Sequence, residues 1–459
     1  MNKTLLGVGA IALVAVVAQY LKMDKSPDSS LTPDQQVATI FETGHCLACH
    51  SQNPELPFYA DFPIAGDQVR RDIELGVKAI DLTDMYNALK SGGPINEVAV
   101  AKVEYAIREG SMPPLKYSVV HWGSQINSTE KEIVLNWVAD YRKAHFSLGT
   151  NAEAFINEPV QAIPETVEVD EAKAALGFKL YHDTRLSADN TISCASCHGL
   201  NTGGVDNEQF SDGVGGQKGN VNAPTVFNAG HNFVQFWDGR AVDLQQQAAG
   251  PPLNPVEMAS TSWEQIAGKL IEDKELTKEF LAIYPDGYSE KTITDAIQEF
   301  EKTLITPNSR FDRYLKGQPD ALTAEEIKGY ELFKQHECAT CHAGVIMGGQ
   351  SYELMGLHGD YFGIRGIEIT DGDKGRNMQT NKDYDMHRFK VPTLRNIALT
   401  WPYFHDGTKQ TLEEATEAMM TFQIDKKYKK EDVASIVGFL KTLTGEYNGK
   451  LLTNDNDKN

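Results

Sequence analysis

The sequence predicts a mainly α-helical protein of three similar units in tandem behind an apolar N-terminal segment, and three observations carry that expectation. A five-residue pattern, C-x-x-C-H, occurs at Cys46/Cys49/His50, at Cys194/Cys197/His198 and at Cys338/Cys341/His342. A helix-start signal stands shortly before each copy: Thr32-Pro33-Asp34-Gln35, then Asp170, then Thr323-Ala324-Glu325-Glu326. A capping oxygen, a proline in the first turn and a Gln or Glu three residues beyond the cap each suit the open end of a helix. Residues 5–21 are almost unbroken in apolar side chains, with only Gln19 and Tyr20 near the end. A helix leading into the same motif three times over reads as an internal repeat.

The motif carries the chemistry. Two thiols three residues apart bond both vinyl groups of one porphyrin, and the adjoining imidazole then lies under the iron as an axial ligand. A single copy would also fit half a zinc site or a redox dithiol. Three copies that consume all six cysteines predict three covalently bound haem c groups, with His50, His198 and His342 on the irons. The expected fold class is therefore three cytochrome c-like haem domains in tandem after an N-terminal membrane anchor. Haem of this type is attached outside the cytoplasm, which places the body on the periplasmic side of a bacterial inner membrane. The apolar run is short for a span and also fits a signal peptide cleaved after Val16-Val17-Ala18; we read it as an uncleaved anchor. A formal charge of −21 speaks against nucleic acid as a partner, because nothing here would neutralise phosphates. It suits steering of a basic electron-donor protein, or a plain solvated acidic surface.

Taken in order, residues 1–30 form the anchor and a polar linker, 31–150 the first haem domain, 165–315 the second and 316–450 the third. In the first domain Val37, Ile40 and Phe41 follow the cap at helical spacing. Further on, Ser111-Met112-Pro113-Pro114 holds a thioether on an extended loop, because proline disfavours helix at its own position and the one before. Met112 is the expected second ligand of the first iron, with His121 the runner-up. Thr129 and Glu132 then box a helix with Ile133, Trp137 and Tyr141 on one face. Residues 151–169, with two prolines and no clear period, read as a domain boundary. Two short helices are expected within 262–283, then a third whose Ile293, Ile297, Phe300 and Leu304 form a core stripe. Residues 308–321 cross to the last domain.

Longer motifs surround the second and third copies. They include Asn222-Ala223-Pro224-Thr225, Phe236-Trp237-Asp238-Gly239-Arg240, Pro255-Val256-Glu257-Met258, Phe389-Lys390-Val391-Pro392-Thr393-Leu394-Arg395-Asn396 and Pro402-Tyr403-Phe404-His405-Asp406-Gly407. With these, residues 170–445 resemble the bacterial di-haem cytochrome c peroxidases. The added N-terminal domain and anchor make the whole similar to the tri-haem, membrane-bound branch, whose members act as quinol peroxidases. The resemblance implies that the haem on Cys194/Cys197 is peroxidatic and that the haem on Cys338/Cys341 is a relay ligated by His342 and Met419, in preference to the adjacent Met420. It implies that Trp237 bridges these two haems. One Ca²⁺ is implied between the domains, on Asn222 and the backbone carbonyls of Thr400 and Pro402, hard oxygens of the kind calcium takes. Glu257 is implied as the acid–base carboxylate for hydrogen peroxide, and Gln247 as the residue that orients it. Membrane quinol or a soluble cytochrome c would supply electrons, and relatives often form homodimers.

One departure matters. In the family's Gly-His-Gly loop a histidine caps the resting peroxidatic iron and leaves on reduction. Here Ser211-Asp212-Gly213-Val214-Gly215-Gly216-Gln217-Lys218-Gly219 puts Val214 at that place, and valine cannot ligate iron. The expectation is a five-coordinate or water-bound centre, active without reductive activation, with His231 the nearby replacement. A non-enzymatic electron carrier, the main rival, would need every iron six-coordinate. A relative that modifies tryptophan on a partner protein would carry a tyrosine in place of Met419.

Overall fold

The computed structural model describes residues 26–121 and 123–456. The anchor expected at residues 5–21 lies outside them, and no helix among the described residues is long and apolar enough to cross a membrane. The chain divides into two compact units, Met1–Phe146 and Ser147–Asn459.

The first unit is a cluster of helices: α1 (Pro33–Thr43), α2 (Ala65–Ala79), α3 (Thr83–Ser91), α4 (Glu97–Glu109), α5 (Leu115–Val120) and α6 (Ser128–His145). The Thr32 hydroxyl accepts from the Gln35 N–H while the Gln35 side chain returns to the Thr32 N–H, so the expected capping box starts α1. Val37, Ile40 and Phe41 of α1 interlock with Met85 and Leu89 of α3, Val100 and Val103 of α4, and Val134 and Trp137 of α6. Trp137 Nε1 donates to Asp34 at 2.7 Å and ties α6 to the first turn of α1. The cap of α6 lies two residues earlier than Thr129/Glu132. Asn127 and Glu130 exchange the reciprocal bonds, each at 2.9 Å. Asn is a strong N-cap residue, and a glutamate stands three positions beyond it.

The second unit begins with α7 (Glu171–Tyr181), capped by Asp170, and continues through α8 (Cys194–Cys197), α9 (Leu244–Ala248), α10 (Trp263–Leu270), α11 (Lys274–Ile283) and α12 (Glu290–Lys302). Helices α7 and α12 pack so closely that a Cβ on Gly177 would lie 1.9 Å from the Ala296 carbonyl oxygen. Leu176, Leu180, Ile293 and Ile297 fill that seam, and Ile266, Leu270 and Phe280 cover it. The chain then forms α13 (Arg310–Leu315), α14 (Ala324–Gln335), α15 (Cys338–Cys341), α16 (Tyr361–Arg365), α17 (Asn377–Thr380), α18 (Leu412–Phe422) and α19 (Lys430–Leu440). Phe311, Tyr330, Phe333 and Phe439 form an aromatic core between α13, α14 and α19. Strand β1 (Tyr352–Leu354) pairs antiparallel with β2 (Arg388–Lys390), Glu353 facing Phe389.

Two stretches tie the unit together. Val160 pairs in parallel with Gly344, and Val160 and Ala162 lie in the core with Phe311. The segment expected to be a plain boundary is thus, in part, a buried strap. Arg395 fastens it, donating to the Gln161 carbonyl at 2.6 Å while it pairs with Asp312 at 2.8 Å, both side chains fully buried. At the other end, Asn454 donates to Asn207 Oδ1 at 2.9 Å and to the Leu399 carbonyl at 2.6 Å, bringing the chain's end back onto the loop after α8.

Candidate active site

Each C-x-x-C-H motif sits on one tight helical turn, which turns both thiols and the imidazole to one side. In all three the histidine Nδ1 meets a backbone carbonyl. His50 faces Gly76 O at 3.0 Å and Ile80 O at 3.1 Å, His198 faces Gly204 O at 3.3 Å, and His342 faces Met347 O at 3.0 Å. Such a partner places the proton on Nδ1 and leaves the Nε2 lone pair for a metal. Burial lowers the proton affinity of each ring, so all three are neutral, as a ligand must be. All six cysteines are free, and burial pushes Cys46 and Cys338 up to about 12 and Cys197 to about 11. Each pair of thiols thus stands beside a neutral imidazole, none of them committed to a disulfide. This donor set fits a covalently bound haem at each motif.

Around the second motif, α9 carries Gln247, and the chain folds through the turn Pro251–Leu253 to Glu257. Asn254 Nδ2 donates to Glu257 Oε1 at 2.7 Å. Burial raises the carboxyl of Glu257 above its ordinary value, offset in part by the Arg240 charge and the Asn254 bond. Its charge adds a small upward push to the Cys194 and Cys197 thiols, whose main cause is burial. The loop holding Val214 closes on itself, with Gly213 N–H donating to Gln217 O at 2.7 Å and Asp212 pairing with Lys218 at 2.8 Å. Val214 N–H donates to the Glu257 carbonyl at 2.8 Å. A Cβ on Gly213 would come 2.1 Å from the Val256 carbonyl oxygen, so only glycine permits this contact. The His231 carbonyl accepts from Gln350 Nε2 at 2.7 Å, and burial, with the Arg395 charge second, lowers the proton affinity of its ring.

Trp237 is fixed at three points. Its Nε1 donates to Asn222 O at 2.9 Å, its carbonyl accepts from Lys390 N–H at 2.8 Å, and its ring meets Phe389 edge-on at 6.4 Å. Met419 packs against the cluster of Met355, Tyr361, Phe362 and Phe389, as Trp237 also does, whereas Met420 is buried in the α14/α19 core. Asn222 commits Nδ2 to Glu208 O at 2.9 Å and its N–H to His405 O at 2.7 Å. Asn207 donates to the carbonyls of Leu399 and Trp401, while those of Thr400 and Pro402 alternate with them along the chain. In the first unit Met112 is 41% exposed just before α5. Both ring nitrogens of His121 are engaged, Nε2 with Tyr59 Oη at 2.5 Å and Nδ1 with Tyr117 O at 3.2 Å.

Sequence reasoning missed a buried cluster beside Trp237. Arg365 Nη1 bonds Asp373 at 2.7 Å and Asp406 at 2.8 Å, and His405 Nε2 meets Asp373 at 2.8 Å. Asp373, His405 and Asp406 approach closely enough for a cation, and the Arg365 guanidinium already neutralises the two carboxylates. His405 stacks on Phe389 with centroids 4.1 Å apart, so the cluster backs the Trp237 contact. Only the His-Asp-Gly run was visible in the sequence.

Comparison with known proteins bears on this arrangement. The profile of the di-haem cytochrome c peroxidase family matches residues 171–320, and a haem-binding domain profile matches residues 7–140. The cytochrome c peroxidase Ccp of Escherichia coli strain K12 is 46% identical over 453 residues, covering 95% of this chain and 97% of that protein. The chain belongs to the di-haem cytochrome c peroxidase family. Another relative, the cytochrome c551 peroxidase of Nitrosomonas europaea, is 47% identical over 292 residues, or 63% of this chain and 85% of that one. A solved structure of a MauG-like protein associated with microbial copper homeostasis matches with a TM-score of 0.54 at 30% identity, over 63% of this chain and 93% of that chain. The mainly helical second unit has the fold of these di-haem proteins, and α8 and α15 carry its two C-x-x-C-H turns.

Proposed function

We propose that this protein reduces hydrogen peroxide to water with electrons drawn from membrane quinol, on the periplasmic side of a bacterial inner membrane. The observation that carries this reading is Glu257. It is a half-buried carboxylate held by Asn254, and its backbone carbonyl accepts from the Val214 N–H at the tip of the neighbouring loop. When bound, three haem c groups supply one-electron redox chemistry, those on the first and third motifs as carriers and that on the second as the peroxide-reducing centre. Glu257 takes a proton from one oxygen of hydrogen peroxide and returns it to the other as the O–O bond breaks. Two electrons and two protons thus convert one peroxide into two waters. Gln247 offers its carboxamide to orient the substrate. Trp237, held by Asn222 and Phe389, serves as the aromatic bridge to the relay half. Met112 and Met419 are the thioether ligands, and one Ca²⁺ on Asn222, Thr400 and Pro402 braces that bridge.

The tri-haem, anchored form is supported by the haem-binding match over residues 7–140 and by identity along nearly the whole length of the Escherichia coli relative. A soluble cytochrome is the second donor to test, because two relatives are named cytochrome c551 peroxidases. Full-length protein in detergent is offered hydrogen peroxide with either a reduced quinol or a reduced soluble cytochrome c. Turnover with quinol is the expected result. Turnover with the cytochrome alone would overturn the donor, and turnover with neither, using haem-loaded protein, would overturn the peroxidase reading.

A further inference from the structure

Glu301 on α12 is a buried carboxyl that the chemistry above does not use. It is 6% exposed, and its Oε2 has no hydrogen-bond partner among the described residues. Its neighbours on α12, Phe300 and Leu304, pack in one apolar cluster with Tyr181 and Phe227, against which Cys194 and Ala195 also rest. Burial first, and the Glu301 charge next, raise the Cys194 thiol; Tyr181, raised chiefly by its own burial, feels Glu301 as well. Tyr181 donates its hydroxyl to the His198 carbonyl at 2.6 Å. The turn of α12 that carries Glu301 therefore packs in the same cluster as Tyr181 and Cys194, with the Phe300 and Tyr181 rings 5.1 Å apart.

Among the described residues no cation pairs with it. Lys302 turns to Glu299 at 2.5 Å and Lys173 to Asp295 at 2.6 Å. From the packed elements, α7 brings Tyr181, α8 brings Cys194, and β3 (Glu446–Tyr447) brings Tyr447, whose charge bears on Tyr181. Helix α9 brings only glutamines and apolar residues, and the turn Ala229–His231 brings His231, kept neutral by burial. An unpaired carboxylate in such surroundings is costly, and a second negative charge beside it is costlier still.

We propose that Glu301 is the redox-linked proton site of the haem carried by Cys194 and Cys197. One proton from solvent forms the O–H bond on the Glu301 carboxylate as one electron from the donor arrives at that haem. The proton leaves when the electron does, so the net charge of the buried region does not change. The inference rests on haem attachment at this motif. Burial alone places the carboxyl at about 8, within reach of protonation near neutral pH. Reduction favours the protonated form, so the potential of this haem falls as pH rises through that range.

The test is a spectroelectrochemical titration of the full-length protein from about pH 6 to about pH 9, for wild type and Glu301→Gln. The wild-type potential of this haem is expected to fall with pH, and the slope to vanish in Glu301→Gln while the other haems are unaffected. Redox-difference infrared spectra of wild type should gain a carboxylic-acid C=O band on reduction that shifts in D₂O, a readout independent of the variant's folding. A slope that persists in haem-loaded Glu301→Gln, or a wild type with neither slope nor band, overturns the inference alone. Absence of haem on the peptide carrying Cys194 overturns the attachment reading and this inference with it.

Discussion

Glu257, the proposed acid–base group, illustrates how little of such a role is visible in a residue's own letter. A glutamate beside a methionine reads as a surface charge. Here burial raises its proton affinity, and Asn254 fixes one oxygen at 2.7 Å. We expect Glu257→Gln to lower peroxide turnover by about a hundred- to ten-thousand-fold, the usual worth of general acid–base help. Haem absorbance should be unchanged, and stopped-flow kinetics checks both. Accepting a proton requires the carboxylate form. The wild-type kcat/KM should therefore fall as pH drops through the raised value, above the ordinary range of about 4.3 for glutamate. That acid limb should vanish in the glutamine variant. The cysteines and their histidines were legible because covalent attachment demands a fixed local spacing. Arg365 and Asp373 were not, because nothing local marks a residue whose partner, Asp406 or His405, arrives from elsewhere in the chain. The same holds for Arg395 and Asp312, whose fully buried pair fastens the strap. Arg395→Met leaves Asp312 uncompensated and should cost about 3–5 kcal/mol, read as a lowered denaturation midpoint.

At the scale of elements, end signals were the most legible part of the sequence. Thr32, Asp170 and Thr323 cap the helices expected of them. The cap of α6 fell to Asn127 because two overlapping boxes competed and periodicity does not choose between them. Helix α13, six residues long, was hidden in a stretch read as a crossing, since one and a half turns show no period. The strap around Val160 was hidden too, because its two prolines argue locally for a loop while its burial is decided by Gly344 and Arg395. The Val214 loop makes the sharpest prediction here. Its tip is pinned to the Glu257 carbonyl at 2.8 Å and carries no ligand atom. Wild type should show a high-spin ferric EPR signal that hydrogen peroxide consumes without prior reduction. Val214→His should convert that signal to a low-spin one and make turnover depend on reductive activation. Gly213→Ala should lower turnover with all haems retained, because its Cβ would meet the Val256 carbonyl oxygen at 2.1 Å and displace the loop.

At the scale of the whole molecule, the two compact units divide the chemistry unequally. The second, Ser147–Asn459, contains both α8 and α15 together with Glu257 and Trp237, the residues proposed for peroxide reduction and its immediate relay. The first contributes one motif, with the apolar run at residues 5–21 ahead of it. If that run anchors the protein and the first haem receives electrons from quinol, removing residues 1–30 separates the two roles. The truncated protein should partition into the aqueous phase and keep three haems by pyridine haemochrome assay. It should reduce peroxide at an undiminished rate with a small artificial electron donor. Its turnover with quinol in membrane vesicles should drop sharply, because the donor stays in the bilayer and the acceptor no longer does. Equal quinol rates for truncated and full-length protein would mean that the anchor does not deliver this donor, and that the acidic surface, at a formal charge of −21, recruits a basic soluble one instead.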